Sequence, residues 1–492
     1  MPGRGVKLTL LAGACLMSSA LFSAPAQADT LEEALISAYR TNPTLQAARA
    51  GQRVTDENVP IARADALPSL DATGQYVEFL KQSSASFTAP ERSVGISGNL
   101  GVPVYSGGAV KNSIKAAKTR VLAGRANLRA TESSVFSQVV AAYMDVIRSE
   151  AIVGLTKNNV DVLSVNLQAT SDRFEIGDLT RTDVAQSEAR LALARSNLRT
   201  AQSNLIEARE RYVELVGVAP DNLQPPPPLP GMPDAPNDAV DTALQYNPDL
   251  LSSREEAKAS GYDIEVAEAA KLPKLSLFAS SDYTNYLDTL GSSIPGTAID
   301  QGQTSAQAGV RLTLPLYQGG RPAAQERQAQ ARASQALERI IATERNVISQ
   351  VRAAYASWRA ANAIIASSQQ AVDAASLSLE GVRAENTVGN RSILDILNAE
   401  QELLSARVDL VTARRNAYVA GFTLLAAMGR AEARDLGLGE DGLLYDPVVN
   451  YERVHDRIWD WDSDPDPQAQ ATRTVDIPPQ DGEAPEIKNS VK

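Results

Sequence analysis

Residues able to do covalent or redox chemistry are nearly absent from this chain. His455 is its only histidine and Cys15 its only cysteine among 492 residues. That leaves no Ser-His-Asp or Cys-His set and no cluster of histidines and cysteines for a metal. No G-x-x-x-x-G-K loop followed by Ser or Thr occurs, so energy for any transport must come from a partner. Carboxylates are plentiful, with Asp+Glu 59 against Lys+Arg 47 and a net charge of −12. They are too numerous for one pair to stand out as general acid and base. An acidic chain without a basic stripe does not attract nucleic-acid phosphates. The chain therefore reads as a non-enzyme with no cofactor, no metal and no nucleic-acid partner.

The N-terminus reads as a secretory signal peptide over 1–28. Arg4 and Lys7 form its positive region, residues 8–22 are apolar or small, and Ala26-Gln27-Ala28 makes the cleavage site. Cleavage there removes Cys15, so the exported chain forms no disulfide. Lipidation of Cys15 is the alternative, disfavoured by the Ala12-Gly13-Ala14 approach. Beyond residue 28 no apolar run reaches 18 residues, so any membrane insertion must use β-strands.

The elements are laid out by an internal repeat. Asn42-Pro43 returns as Asn247-Pro248, and Leu67-Pro68 as Leu272-Pro273. Pro103-Val104-Tyr105-Ser106-Gly107-Gly108 returns as Pro315-Leu316-Tyr317-Gln318-Gly319-Gly320. The same later offset pairs Tyr143 with Tyr355, Gly177 with Gly389, Asp183 with Asp395 and Gly217 with Gly429. The first copy spans 29–219 and the second 237–430. A Pro-rich linker, 220–236, separates them and should be extended and semi-rigid. An extension, 431–492, follows. Its end is rich in Asp, Pro and Gln and is expected to lack order.

Each copy should open with two helices. Thr30 and Glu33 form a capping box, and Asn42-Pro43 interrupts the first helix. Two strands follow in each copy, at about 70–104 and 275–316. Apolar or small residues alternate at Val94, Ile96, Gly98, Leu100, Val102 and Val104, and again at Ala306, Ala308, Val310, Leu312, Leu314 and Leu316. Period two gives one apolar face, and about 10 residues is the span of a tilted transmembrane strand.

From Gly108 to Gly177 the pattern turns helical without a proline, which at ~1.5 Å per residue gives a rod of roughly 100 Å. Ile114, Val121, Leu128 and Val135 repeat every seven, then the phase jumps by four to Val139, Val146 and Val153. Ile340, Val347 and then Val351, Trp358, Ile365 repeat the jump. Such a stutter locally unwinds a coiled coil. The return helices carry heptad seams, one rich in alanine that permits close approach. Rods joined by a short turn should be antiparallel neighbours.

Four strands cannot close a barrel, and lipid tolerates no open sheet edge. Closure calls for an oligomer. A trimer supplies twelve strands and leaves a lumen, whereas eight strands would be filled by side chains.

The order helix, hairpin, long helix, return helix, duplicated, resembles the TolC family of outer-membrane efflux and type I secretion proteins. The junctions at 103–108 and 315–320 carry the resemblance, as does Val388-Gly389-Asn390-Arg391-Ser392-Ile393-Leu394-Asp395-Ile396-Leu397. It covers about residues 30–430. It implies a mainly α protein in a Gram-negative outer membrane: a homotrimer with a twelve-stranded β-barrel in outer-membrane lipid and a long periplasmic α-barrel. It implies a periplasmic adaptor docked at the turns, with Gly177, Asp178 and Leu179 in one and Gly389 and Asn390 in the other. An inner-membrane ABC, RND or MFS pump would drive type I protein secretion or multidrug efflux through this passive duct. A periplasmic coiled-coil scaffold without a pore is the rival reading, and it leaves the amphipathic hairpins unexplained.

By the same resemblance, Arg391 would latch the closed tip against Thr182 and Asp183. Asn386 stands where the family places an assisting tyrosine. Asp395 would belong to an acidic ring at the entrance, which favours cations in a narrow lumen. Asn398 stands where the ring has its second aspartate. Pro103, Tyr105, Gly107, Gly108, Pro315, Tyr317, Gly319 and Gly320 mark the strand-helix junctions, with the tyrosines as interfacial anchors. Trp459 and Trp461, in the acidic extension, are expected against the middle of the barrel.

Overall fold

The computed structural model describes residues 30–82, 90–291, 296, 298–438, 442 and 444–484. The signal peptide and Cys15 lie outside the described residues, as do parts of both loops that join paired strands.

The first copy begins with α1 (Leu31–Thr41) and α2 (Pro43–Ala64). Thr30 caps α1 through the expected box: the Glu33 N–H donates to Thr30 Oγ1 at 3.2 Å, and the Thr30 N–H donates to the Glu33 carboxylate at 2.9 Å. Asn42 ends α1 in an extended conformation, and its side-chain oxygen accepts from the N–H groups of Thr44 and Leu45 to start α2.

Next come β1 (Ser69–Glu78) and β2 (Arg92–Tyr105), then α3 (Ala109–Glu175) and its return, α4 (Arg181–Val216). The second copy repeats the order as α5 (Pro236–Tyr246), α6 (Pro248–Glu268), β3 (Lys274–Asn285), β4 (Gly302–Thr313), α7 (Arg321–Thr387) and α8 (Ile393–Ala427). Both long helices have 67 residues. A short α9 (Pro447–Val454) lies in the extension.

The strands form one antiparallel sheet in the order β1-β2-β3-β4, which leaves β1 and β4 as edges. Register puts Leu70, Leu100, Ala279 and Ala308 in one row and Asp71, Asn99, Ser280 and Gln307 in the next. The alternation read from the sequence is thus carried across all four strands. The apolar face is bare in a single chain, with Leu70 77%, Ile96 61% and Leu312 67% exposed. β4 stops short of the expected residue 316. Continuing it would need partners at 271–273, where Leu272 closes a short 3-10 turn and Pro273 has no N–H to give. Pro315 and Tyr317 therefore lie past the strand, whereas Tyr105 still pairs with Leu275.

The helical seams pack as the heptads require. Val121, Leu128 and Val135 are buried, and so are Val139, Val146 and Val153 after the phase jump. α7 is barer. Val347, Val351 and Leu379 are buried, but Leu337, Ile364 and Leu377 are exposed. The largest core cluster lies at mid-height around Phe136, Tyr143, Tyr212 and Phe422. There the repeated tyrosines fasten the Pro-rich linker: the Tyr143 hydroxyl donates to the Gln224 carbonyl at 2.6 Å, and the Tyr355 hydroxyl to the Asp234 carbonyl at 2.7 Å.

α9 runs beside α2, where the Asn450 amide donates to Asp56 at 2.8 Å. Residues 463–484 have no helix or strand and are mostly exposed. Arg209 holds their far end through Asp481 at 2.5 Å. Within one chain Trp459 and Trp461 stay 78% and 94% exposed rather than docked.

Candidate functional site

The two helix-to-helix turns are built alike. α3 ends in a Schellman turn: Gly177 takes φ +82°, its N–H donates to the Phe174 carbonyl, and the Asp178 N–H reaches the Arg173 carbonyl. In the second copy Gly389 takes φ +80°, and its N–H and that of Asn390 donate to Asn386 and Glu385. α4 then starts at Thr180 and α8 at Ser392, each with a capping box closed by an aspartate. Thr180 donates to Asp183 through N–H and hydroxyl at 2.9 and 2.7 Å. Ser392 donates to Asp395 at the same two distances. These bonds, the hydroxyl's first, hold both carboxyls below the usual aspartate range.

Arg391 does not meet Thr182 or Asp183 within one chain. Its guanidinium donates to Glu385 at 2.6 Å, and that hydrogen bond and charge raise its pKa. Asn386, where an assisting tyrosine was expected, donates to the Arg391 carbonyl at 2.7 Å and fixes the turn instead. Thr182 is exposed. In the first turn the equivalent ion pair is local too, Arg173 with Asp178 at 2.7 Å.

The copies are joined above the turns by residues of which the sequence singled out only Asn398. Arg190 of α4 donates to the Asn398 side-chain oxygen of α8 at 2.7 Å. Glu400, one of the few buried carboxylates, accepts from Asn166 of α3 at 3.1 Å and from Arg383 of α7 at 2.9 Å. Around them Leu163, Leu191, Ala194 and Leu397 make an apolar contact of α3, α4 and α8. A buried carboxylate is tolerable because its oxygens are paired. The only sequence signal was an acid beside Ala399, a residue of the alanine seam.

At the other end, Gly107 and Gly108 take φ +68° and +89°, and Gly319 and Gly320 take +62° and +78°. A Cβ on Gly107 would sit 2.9 Å from the Ala269 carbonyl oxygen and from Leu272 Cβ, so the first junction needs glycine to lie against the second copy. Among the described residues no helix is long and apolar enough to cross a membrane, and no group of acidic, histidine or cysteine side chains could hold a metal. What the molecule offers a membrane is the bare face of its sheet.

A sheet with one apolar face, continued by helical hairpins of about 100 Å, defines an outer-membrane channel of the tunnel type. The outer membrane efflux protein family matches residues 34–218 and 239–430, breaking at the linker, and this chain belongs to it. Outer membrane efflux protein BepC of Brucella suis is 35% identical over 449 residues, covering 91% of this chain and 95% of that protein. Outer membrane protein TolC of Escherichia coli is 26% identical over 448 residues, covering 88% and 89%. In fold, the CmeC outer membrane channel of Campylobacter jejuni superposes with a TM-score of 0.71 at 18% identity, over 87% of this chain and 89% of that one. The chain is an outer-membrane channel protein with a long periplasmic helical part.

Proposed function

We propose that this chain works as a homotrimer that closes a twelve-stranded barrel and passes cargo from a periplasmic adaptor and an inner-membrane pump to the exterior. The observation that carries the proposal is the sheet with both edges open and one bare apolar face. Lipid tolerates neither an unpaired edge nor a half-closed sheet. Three chains give enough strands for a lumen. The duct itself is passive and is not an enzyme. Efflux of small molecules is the favoured use, since the relative at 35% identity is named an efflux protein.

In the assembled tip Arg391 exchanges Glu385 for Thr182 and Asp183, and Asp395 contributes to a ring of carboxylates. The turns at Gly177, Asp178 and Leu179 and at Gly389 and Asn390 receive the adaptor. The direct test is the mass of the detergent-solubilised complex together with its conductance in a planar bilayer. A monomer that conducts nothing would sink the proposal. A deletion strain that gains drug sensitivity and keeps its secreted proteins would support efflux over secretion.

A further inference from the structure

The aromatic residues of the C-terminal extension are placed where a membrane boundary would meet them. α9 climbs α2 in parallel: Asn450 bonds Asp56, and seven residues later Arg63 bonds the His455 carbonyl and Asp456. Arg63 lies in the last turn of α2, and β1 begins at Ser69. The chain turns there, the Asp462 N–H donating to the Trp459 carbonyl. It then descends to Thr472, beside Thr41 and Gly217 at the foot of α2. Ile458 at 57%, Trp459 at 78% and Trp461 at 94% exposure crown this ascent.

We propose that Ile458, Trp459 and Trp461 form an anchor that enters the headgroup layer of the periplasmic leaflet of the outer membrane. Tryptophan favours that layer because its ring is apolar and its N–H stays wet. The layer is roughly 5–8 Å deep on each side of the hydrocarbon, comparable to the few residues that separate Arg63 from the first strand. Three of the acids around the tryptophans are ion-paired while still exposed, Asp456 with Arg63, Asp462 with Arg457, and Asp464 with Arg453 and Arg457; Asp460, between the two tryptophans, has no ion pair among the described residues. Near the first strand-helix junction Lys111, Lys115 and Lys118 of α3 line a cavity with Asp65 and Tyr105, Lys115 also lying over the Tyr262 ring at 5.3 Å. In the trimer proposed above, on which the anchor assignment rests, the lumen must stay clear of three such extensions, which puts this loop on the outer surface. The occupant is lipid; a neighbouring copy of the chain is the competing one.

The test uses the full chain in vesicles of phosphatidylethanolamine and phosphatidylglycerol that carry brominated lipid. The chain has three tryptophans, so Trp358→Phe reports the anchor alone and Trp459→Ser/Trp461→Ser reports its absence. Bromine near the headgroup should quench the first variant more than bromine at the chain ends, and the double variant should lose that quenching. Subtracting the double variant from the wild type gives the same quantity if Trp358→Phe does not fold. Water-like emission without quenching overturns the proposal, and so does blue-shifted, unquenched emission in both detergent and lipid, which would assign the loop to a neighbouring copy. Flotation of the double variant with the vesicles separates loss of the anchor from failure of the strands to insert.

Discussion

The side-chain amide of Asn42 donates to the Leu215 carbonyl at 2.9 Å while its oxygen caps α2. One buried side chain thus ends α4, starts α2 and stacks one helix on the other. Asn247 repeats the joint, donating to the Ala427 carbonyl at 3.0 Å and capping α6 above α8. Asn42→Ala removes a cap, about 1 kcal/mol, and strands a buried carbonyl, about 1–3 kcal/mol. Asn42→Ser keeps an oxygen for the cap, but its shorter hydroxyl does not reach the Leu215 carbonyl, so its midpoint in thermal unfolding by circular dichroism should fall between those of wild type and Asn42→Ala. Equal midpoints for all three would remove the joint from the stability of the wall.

Gly429 and Gly389 both take positive φ, +73° and +80°, and they separate conformational from steric demand. A Cβ on Gly389 would meet nothing within 4 Å, but on Gly429 it would run into the Tyr246 carbonyl, whose carbon would be 2.6 Å away. Gly389→Ala should cost about 1–2 kcal/mol for the backbone alone. Gly429→Ala should add roughly 1–3 kcal/mol of overpacking. The same unfolding measurement ranks them, and Gly389→Ala as the more damaging change would contradict the geometry.

Where sequence and structure agree, the signal is periodic and local. The phase jump from Val135 to Val139 needed only spacing seven, and the apolar sheet face needed only spacing two. The turns at Gly177 and Gly389 were legible because each ends a long proline-free run, whereas their positive φ is a finding of the structure. The end of β4 was not, because it depends on Pro273, which stands just before β3. Arg190 with Asn398 and Asn166 with Glu400 lie 208 and 234 positions apart, and no periodicity links such pairs. Arg391 shows the other limit. Its motif names it, yet within one chain its nearest acid is Glu385, and a partner on another element depends on how chains assemble.

Conductance distinguishes the residues of the tip. Arg391→Ser should raise single-channel conductance with little change in thermal midpoint, since the Arg391–Glu385 pair is exposed. Glu400→Ala should lower the midpoint, because it leaves Asn166 and Arg383 without their buried acceptor. Asp395→Asn removes the charge and keeps an oxygen to cap α8, so block by divalent cations should weaken while folding holds. Unchanged conductance in Arg391→Ser argues against the latch, and unchanged block in Asp395→Asn argues against the ring.

Glu132 should make the middle of the molecule sensitive to pH. Its carboxylate accepts from the Ala433 N–H at 2.6 Å, fixing the start of the C-terminal extension to α3. Burial is the main cause that pushes its pKa up to about 7; Glu432 adds to the rise, and the Ala433 N–H, Arg49 and Arg129 oppose it. A carboxyl with a raised folded pKa binds its proton more tightly folded than unfolded. Its protonated form therefore favours folding at acid pH, and that advantage disappears as pH rises from about 4.5 to about 7. The whole effect is roughly 3 kcal/mol, taken from the shift. Glu432 is raised as well, also by burial first, so the loss with rising pH should exceed what Glu132 alone supplies. Glu132→Gln keeps the acceptor for Ala433 and cannot ionise. Its unfolding midpoint should match wild type at pH near 4 and exceed it at pH near 8. Parallel profiles for the two proteins would show that Glu132 is solvated in the assembled molecule.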